Sequence, residues 1–301
     1  MDRFSTITAF VAVSDEAGFA PAARRLGLAT SSVTRQVDAL EAHLGHALVN
    51  RSTHGISLTP AGERYLARAR RLVDDLEAAD AELRDTDGEP TGTLRVSMPI
   101  GFGRMFVAPM IPAFLNANPR IKVELVASDR MVDLVEERID VAIRLGRMPD
   151  SSLVARRLAD HERVIVAAPA FRDRPVVPED LRSRRAIAFD FGTGSHVWHM
   201  ERDGRRLGVR VDPVLTATVS EVLVDAVTAG EGIAMMPLWL VADELRDGRL
   251  ERLFPEWRVE SGAGFGAIRA VTLPHRRGSA RIKRFVDALA DHIGSPPLWE
   301  R

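Results

Sequence analysis

A single glycine between two short helical patterns constrains this chain more than any other feature. Residues 23–36 read ARRLGLATSSVTRQ. Upstream, Phe4, Ile7, Phe10, Val11 and Val13 give one helix an apolar face, and Ala22, Ala23 and Leu26 give a second, shorter one. Gly27 falls where a helix C-cap needs the left-handed region. Leu28 is predicted to plug the turn into the core. Thr30 or Ser31 then N-caps a third helix, SSVTRQVDALEAHLG. Its Val33, Val37, Leu40 and Leu44 recur at spacings of four, three and four, and so face inward.

The other face of that helix carries Thr30, Ser31, Ser32, Thr34, Arg35 and Gln36, with no acid before Asp38. Such side chains approach base edges and phosphates without clash or repulsion, and Arg and Gln supply bidentate hydrogen bonds. That suits a recognition helix, although packing alone would also give a solvated face. The next stretch favours the first reading. ALVNRS, a turn at His54–Gly55 and ISLT form a hairpin, a wing that places Arg51 and His54 to touch backbone or minor groove. Thr59 caps a long helix that begins at Pro60 and carries Glu63 in its first turn. In residues 1–60, Arg3, Arg24, Arg25, Arg35 and Arg51 balance Asp2, Asp15, Glu16, Asp38 and Glu41, and the whole chain has a net charge of −1. The case for double-stranded DNA therefore rests on placement, not on a bulk basic field.

The remainder reads as separate parts. Residues 61–85 make one helical run in which Leu66, Ala69, Val73, Leu76 and Leu83 follow alternating steps of three and four, interrupted at Asp80. This is a short heptad seam that predicts dimerisation; packing of the helix on its own domain is the alternative. Residues 86–93, TDGEPTGT, are a linker by composition. From Leu94 onward apolar strands alternate with amphipathic helices at GRMFVAPMIPAFLNAN and MVDLVEER. The alternation predicts an α/β fold with a mostly parallel sheet. At 301 residues, 46% hydrophobic and 28% charged, the chain suits two or three folded domains. The absence of cysteine excludes disulfides, thiolate metal sites and thiol switches. The N-terminus lacks the basic and apolar regions of a signal peptide, and no run approaches the roughly 20 apolar residues of a membrane span. A cytoplasmic protein is expected.

The run FVAVSDEAGFAPAARRLGLATSSVTRQVDALEAHLGHALVNRSTHGISLTPAGERYL resembles the winged helix-turn-helix of LysR-type transcriptional regulators, in order of elements and in the LTPAGE entry to the linker helix. Two positions depart from the family's habit: Ala29–Thr30, often Ser-Gln, and His54, often Arg. GTLRVSMPIGFGRMFVAPMIPAFL and DRMVDLVEERIDVAIRLGRMPDSSLVARRL resemble the branch related to the CrgA and DmlR regulators. The resemblance implies a winged helix-turn-helix over 1–60, a dimerisation linker helix and hinge over 61–91, and an effector-binding domain over 92–301 with a type 2 periplasmic-binding-protein-like fold. Subdomain I would comprise 92–162 and 268–301, and subdomain II 163–267. It also implies a homodimer or homotetramer, with RNA polymerase as a further candidate partner.

Ligands of such folds bind beyond the carboxyl ends of the strands. That places Ser97, Pro99, Ile100, Gly101 and Phe102 at a first strand end, Arg144 at another, and Phe189, Thr218 and Ser220 across the cleft. Helix N-termini there suit an anion, so the expected effector is a small carboxylate or a polar aromatic. Ser97, Thr218 and Ser220 also have a bland reading as helix caps, and Arg144 as an ion-pair partner of a neighbour such as Asp129 or Asp140. His196 and His199 lack a third ligand, so no metal is expected, and no cofactor. A solute-binding protein of the same fold is the alternative function. An enzyme would need an acid–base constellation that is missing from the sequence.

Overall fold

The structure is a computed structural model that describes residues 2–52, 55–85, 90–146, 152–190, 196–260 and 266–301. The chain divides into two compact units, residues 1–88 with 133–138, and residues 89–132 with 139–301.

The first unit is helical with a small hairpin. Helix α1 (Arg3–Asp15) is N-capped by Asp2, whose carboxylate accepts from the backbone of Phe4 and Ser5 at 3.2 and 3.1 Å. Helix α2 (Phe19–Leu26) stops at Gly27, which takes φ +67°, a left-handed conformation that costs a glycine little. Helix α3 (Thr30–Leu44) follows with Ala29 at its N-cap and no side-chain cap, so neither Thr30 nor Ser31 performs that role. Leu28 is 43% exposed and does not plug the core; the turn is closed instead by its N–H donating to the Ala23 carbonyl at 3.0 Å. Strands β1 (Val49–Ser52) and β2 (Gly55–Leu58) pair antiparallel. Helix α4 (Pro60–Asp85) follows them. Val33, Val37 and Leu40 join Phe10, Val13, Ala22 and Leu48 in one core. Asp15 ties the unit together through Arg25 of α2 and Arg70 of α4, at 3.2 and 2.8 Å.

The second unit opens with β3 (Gly92–Met98). The run after it does not form one helix. It passes through α5 (Ile100–Phe102), a π turn, a 3-10 turn and α6 (Ile111–Ala117). Pro109 and Pro112 withhold two backbone donors there, which breaks regular α bonding. These 18 residues, Ile100–Ala117, have a mean hydropathy of 1.3 and are apolar enough to cross a membrane by composition, which the sequence reading passed over. Here Phe102, Phe106 and Phe114 bury them against the core. Strands β4 (Ile121–Ala127), β5 (Val141–Gly146) and β6 (Val154–His161) follow. The expected helix at MVDLVEER, whose residues 133–138 belong to the first unit, is a set of turns instead. The Asp133 carboxylate takes the N–H groups of Val135 and Glu136 at 2.7 and 3.1 Å, and Arg138 at φ +55° ends the single turn.

The chain continues through β7 (Arg163–Ala167), β8 (Ala186–Phe189), β9 (Val197–Arg202), β10 (Arg205–Arg210) and β11 (Pro213–Ala217). Then come α7 (Ser220–Thr228), β12 (Ile233–Pro237), α8 (Leu238–Arg246), β13 (Glu251–Leu253), β14 (Arg258–Glu260), β15 (Gly266–Thr272) and α9 (Ala280–Ile293). One sheet has the order β4-β3-β5-β15-β6 and the other β10-β9-β14-β7-β12-β8-β11, with β13 also on β7. Both are mixed, not mostly parallel: β3 runs parallel to β4 and β5, and β8 to β11 and β12, while the other pairs are antiparallel. The reason is connectivity. The chain crosses between sheets at Glu162 and returns into β15, which enters between β5 and β6 in the opposite direction. A buried node locks the first sheet: Asp140 pairs with Arg276 and accepts the Arg95 N–H at 2.8 Å.

Candidate functional site

In the first unit the candidate surface is the start of α3. Thr30, Ser31 and Arg35 are exposed, while Ser32, Thr34 and Gln36 are half-buried. The opposite face, Val33, Val37 and Leu40, is sealed, so α3 can present only this edge. Thr34 turns its hydroxyl back to the Thr30 carbonyl at 2.9 Å, and the Arg35 guanidinium reaches Ser32 Oγ at 3.4 Å. The wing is fastened to the same helix by Glu41. One carboxylate oxygen accepts the N–H groups of Leu48 and Val49 at 2.6 and 3.0 Å, and the other meets Arg51 at 3.4 Å. Arg51 also pairs with Asp38 and lies 4.9 Å from the centre of the Phe19 ring. Its charge is therefore spent within the unit, orienting the wing, as much as it is offered outward. His54 lies outside the described residues.

The seam read on α4 divides in two. Leu66, Ala69 and Val73 belong to the unit's own core, since α4 packs on α1, and they offer nothing to a partner. Leu76 is exposed, as is Leu72, which the heptad reading omitted. The Leu83 side chain is outside the described residues.

In the second unit a cavity of about 210 Å³ opens where the carboxyl ends of strands from both sheets meet. Of the residues expected there, Pro99, Gly101, Arg144, Phe189 and Ser220 line it. The others are placed elsewhere. Ile100 turns its side chain outward, 41% exposed, and offers only its N–H to Asp129, at 3.1 Å. Phe102 is wholly buried, its ring 5.4 Å from Trp239 and 5.0 Å from Phe106. Ser97 is also wholly buried, and Thr218 is exposed at the end of β11. The Arg144 guanidinium donates to the Val132 carbonyl at 2.9 Å.

The cavity also draws on residues that sequence reasoning missed: Asp129, Met131, His161, Arg163, Met235 and Trp239. His161 and Arg163 flank the strand crossing, and Met235 lies in β12, whose carboxyl end at Pro237 leads into α8, so the strand-end rule applied to β12 would have pointed to this stretch. His161 is buried and accepts the Trp239 indole N–H on Nδ1 at 3.3 Å. Burial, and then the Arg163 charge, push its imidazole down to about 3, so it is neutral at physiological pH. Burial lowers Arg163 to about 10, which leaves it cationic. Asp129 is raised above the usual carboxylate range, first by desolvation and then by the nearby Glu221, against the Ile100 N–H bond that lowers it. His199 sits on strand β9, not on a helix with His196, and no cluster of three metal-binding side chains occurs among the described residues.

A winged helix-turn-helix joined to a two-sheet domain with a cleft cavity defines a ligand-sensing DNA-binding protein. Comparison with known proteins agrees. Residues 4–63 match the family described as "Bacterial regulatory helix-turn-helix protein, lysR family", and residues 87–294 match "LysR substrate binding domain". The chain belongs to the LysR family of transcriptional regulators. It is similar to the HTH-type transcriptional regulator PtxR of Pseudomonas aeruginosa, 36% identical over 293 residues, covering 96% of this chain and 93% of PtxR. It is 31% identical to CrgA of Neisseria meningitidis serogroup C over 296 residues, 96% of each chain. The solved structure of CrgA, a LysR-type transcriptional regulator, superposes with a TM-score of 0.61 at 29% identity, covering 96% of this chain and 98% of CrgA. DmlR of Escherichia coli is 31% identical over 292 residues, 94% of this chain and 92% of DmlR. These relatives are named regulators, so the solute-binding alternative falls.

Proposed function

We propose that the polar edge of α3, Thr30 to Gln36, reads a two-fold operator, and that a small molecule in the 210 Å³ cavity modulates that reading. The observation that carries the first half is the exposure of Arg35 on a helix whose opposite face is completely sealed. Two such helices one turn of DNA apart need a dimer, and Leu72 and Leu76 of α4 offer its apolar contact. The Arg51 pairings suggest that the wing holds its angle to α3 rather than supplying specificity. The effector is a carboxylate or a polar aromatic, supported by three arginines, Arg130, Arg144 and Arg163, on a mostly apolar lining. Its binding would shift the population between two settings of the two sheets, and with it the spacing of the DNA-reading helices. RNA polymerase would respond at the promoter, in the cytoplasm where the DNA lies.

The test is retention of fragmented genomic DNA by the purified chain at moderate salt, followed by sequencing. A few enriched sites, lost in Arg35→Ala, support the reading. Uniform recovery that Arg35→Ala does not alter would refute it.

A further inference from the structure

The outward edge of α3 ends in an acid. Between residues 31 and 40 the exposed side chains are Ser31, Arg35 and Asp38. Steps of four and three residues line them up on one side of the helix. A duplex laid against Arg35 therefore meets Asp38 about one turn further along, where a carboxylate repels phosphates. The wing answers with Arg51. Its Nη2 pairs with Asp38 and lies 3.4 Å from Glu41, and the Phe19 ring covers one face of the guanidinium with its centre 4.9 Å away. One cation thus serves two carboxylates, which leaves this corner with surplus negative charge. The two acids are held differently. The Glu41 side chain is 16% exposed, and its other oxygen is occupied by the Leu48 and Val49 N–H groups. The Asp38 side chain is 52% exposed and reaches out from the helix to Arg51.

We propose that Asp38 is a specificity-determining residue: it holds the Arg51 guanidinium off the DNA backbone, so that the wing adds little sequence-independent affinity and discrimination stays with Thr30 to Gln36. This rests on the reading of α3 as the DNA-contacting edge. Phosphate contacts carry no sequence information and supply nearly all of non-specific binding. A wing arginine released from its acid would therefore act chiefly on unrelated DNA, where the protein shifts to wherever its charges fit the backbone best. On the operator the base contacts of α3 fix the register, and Arg51 gains only from a phosphate that this register already brings within reach. Glu41 does not replace Asp38 in this role. Its contact with Arg51 is long, at 3.4 Å, and its carboxylate is shared with two backbone N–H groups, so it anchors the wing and restrains the guanidinium less.

Binding of the full-length chain to a mixed-sequence duplex, followed by fluorescence anisotropy over a range of salt, tests this with Asp38→Asn, Arg51→Gln and the double variant. An exposed ion pair is weak, so a single freed phosphate contact should tighten binding of Asp38→Asn by about threefold at low salt. The slope of log affinity against log salt should steepen by about one, the mark of one added phosphate contact. In the Arg51→Gln background, Asp38→Asn should change affinity much less. An equal or larger gain there overturns the assignment, because Asp38 then acts by its own charge alone. Weaker binding by Asp38→Asn also overturns it, because Asp38 then presents Arg51 to a phosphate. The preference for the enriched genomic sites over the mixed-sequence duplex should narrow by about twofold in Asp38→Asn; an unchanged preference overturns the specificity role. Arg35→Ala separates the two levels of the reading. If it leaves retention of those sites intact, the α3 reading falls and the Asp38 assignment with it. If it abolishes retention while the Asp38 series stays flat, the assignment of Asp38 alone falls.

Discussion

The DNA-reading edge comes from residues 30–36, consecutive in sequence and on one helix, whereas the cavity draws its lining from positions 99 to 240, spread over both sheets of the second unit. In the first region a local rule, helical periodicity, decides which side chains face out. In the second, each lining residue owes its place to a strand end whose neighbour is fixed by sheet order and by the crossing at Glu162. A local site tolerates loss of one side chain without loss of shape. A site assembled over long range depends on the packing that brings its parts together.

If the two regions are this independent, damage to one should spare the other. The sharpest probe is Gly62 of α4. A Cβ there would stand 2.0 Å from the Leu48 carbonyl oxygen, a backbone atom that cannot swing aside. Helix propensity favours Gly62→Ala by roughly 1 kcal/mol, yet we expect it to destabilise the first unit by about 3 kcal/mol, because overpacking against backbone dominates. Denaturant unfolding should resolve a weakened first transition and an unchanged second one. If both transitions fall together, the units are coupled and the comparison fails.

The second unit should show a pH dependence centred on His161. Its folded-state pKa, about 3, lies below the usual histidine value of about 6.5. Between these values the unfolded chain binds the extra proton, so stability rises with pH across the window and is lost as pH falls from about 6.5 toward 3. The loss is of the order of a few kcal/mol if the folded structure stays intact. Unfolding of the second unit followed from neutral pH to about pH 4 measures it, and His161→Gln should flatten the slope. A slope that persists in the variant assigns the titration to another group.

Arg35→Ala should cost about 1–3 kcal/mol of operator binding, a tenfold to hundredfold loss, and leave unfolding unchanged because the side chain is exposed and its hydrogen bond is to neighbouring Ser32 on the same helix. The same substitution should leave ligand titration of the cavity untouched. Unaltered operator affinity would move the reading surface off α3.

The legibility of the two regions in the sequence follows the same divide. The helix ends at Gly27, the buried stripe Val33–Val37–Leu40, the wing and the Thr59–Pro60 start were readable because caps, periodicity and turns are short-range. The Glu41 clamp on Leu48, Val49 and Arg51 was not, since it joins α3 to a hairpin whose position no spacing rule states. The α4 seam was read with the right period and the wrong partner: period alone does not say whether Leu66, Ala69 and Val73 meet a second copy or α1. In the second unit the strands were legible, but their directions were not, because the return inserts β15 against the sense of β5 and β6 on either side of it. The MVDLVEER helix failed because Asp133 captures the local N–H groups. Five lining residues of the cavity, Pro99, Gly101, Arg144, Phe189 and Ser220, followed from the rule about strand ends. Asp129 and His161 also sit at strand ends, of β4 and β6, to which the rule was not applied, whereas Arg163 opens β7 and reaches the cavity only because the chain crosses between the sheets there.

Ser97 carries the comparison to its smallest effect. It was expected at the ligand, being at the end of β3, yet it is 0% exposed and its hydroxyl has no hydrogen-bond partner among the described residues. A buried hydroxyl without a partner costs about 1–3 kcal/mol in lost hydration. Ser97→Ala removes that cost at the expense of a small void, so we expect a gain of up to about 1 kcal/mol in the stability of the second unit. Ligand affinity should not change, because Ser97 is absent from the cavity lining. The opposite pattern, unchanged stability with weaker ligand binding, would mean that the cleft opens far enough to turn the Ser97 hydroxyl onto the effector. The long-range site would then be assembled by its ligand rather than waiting for it.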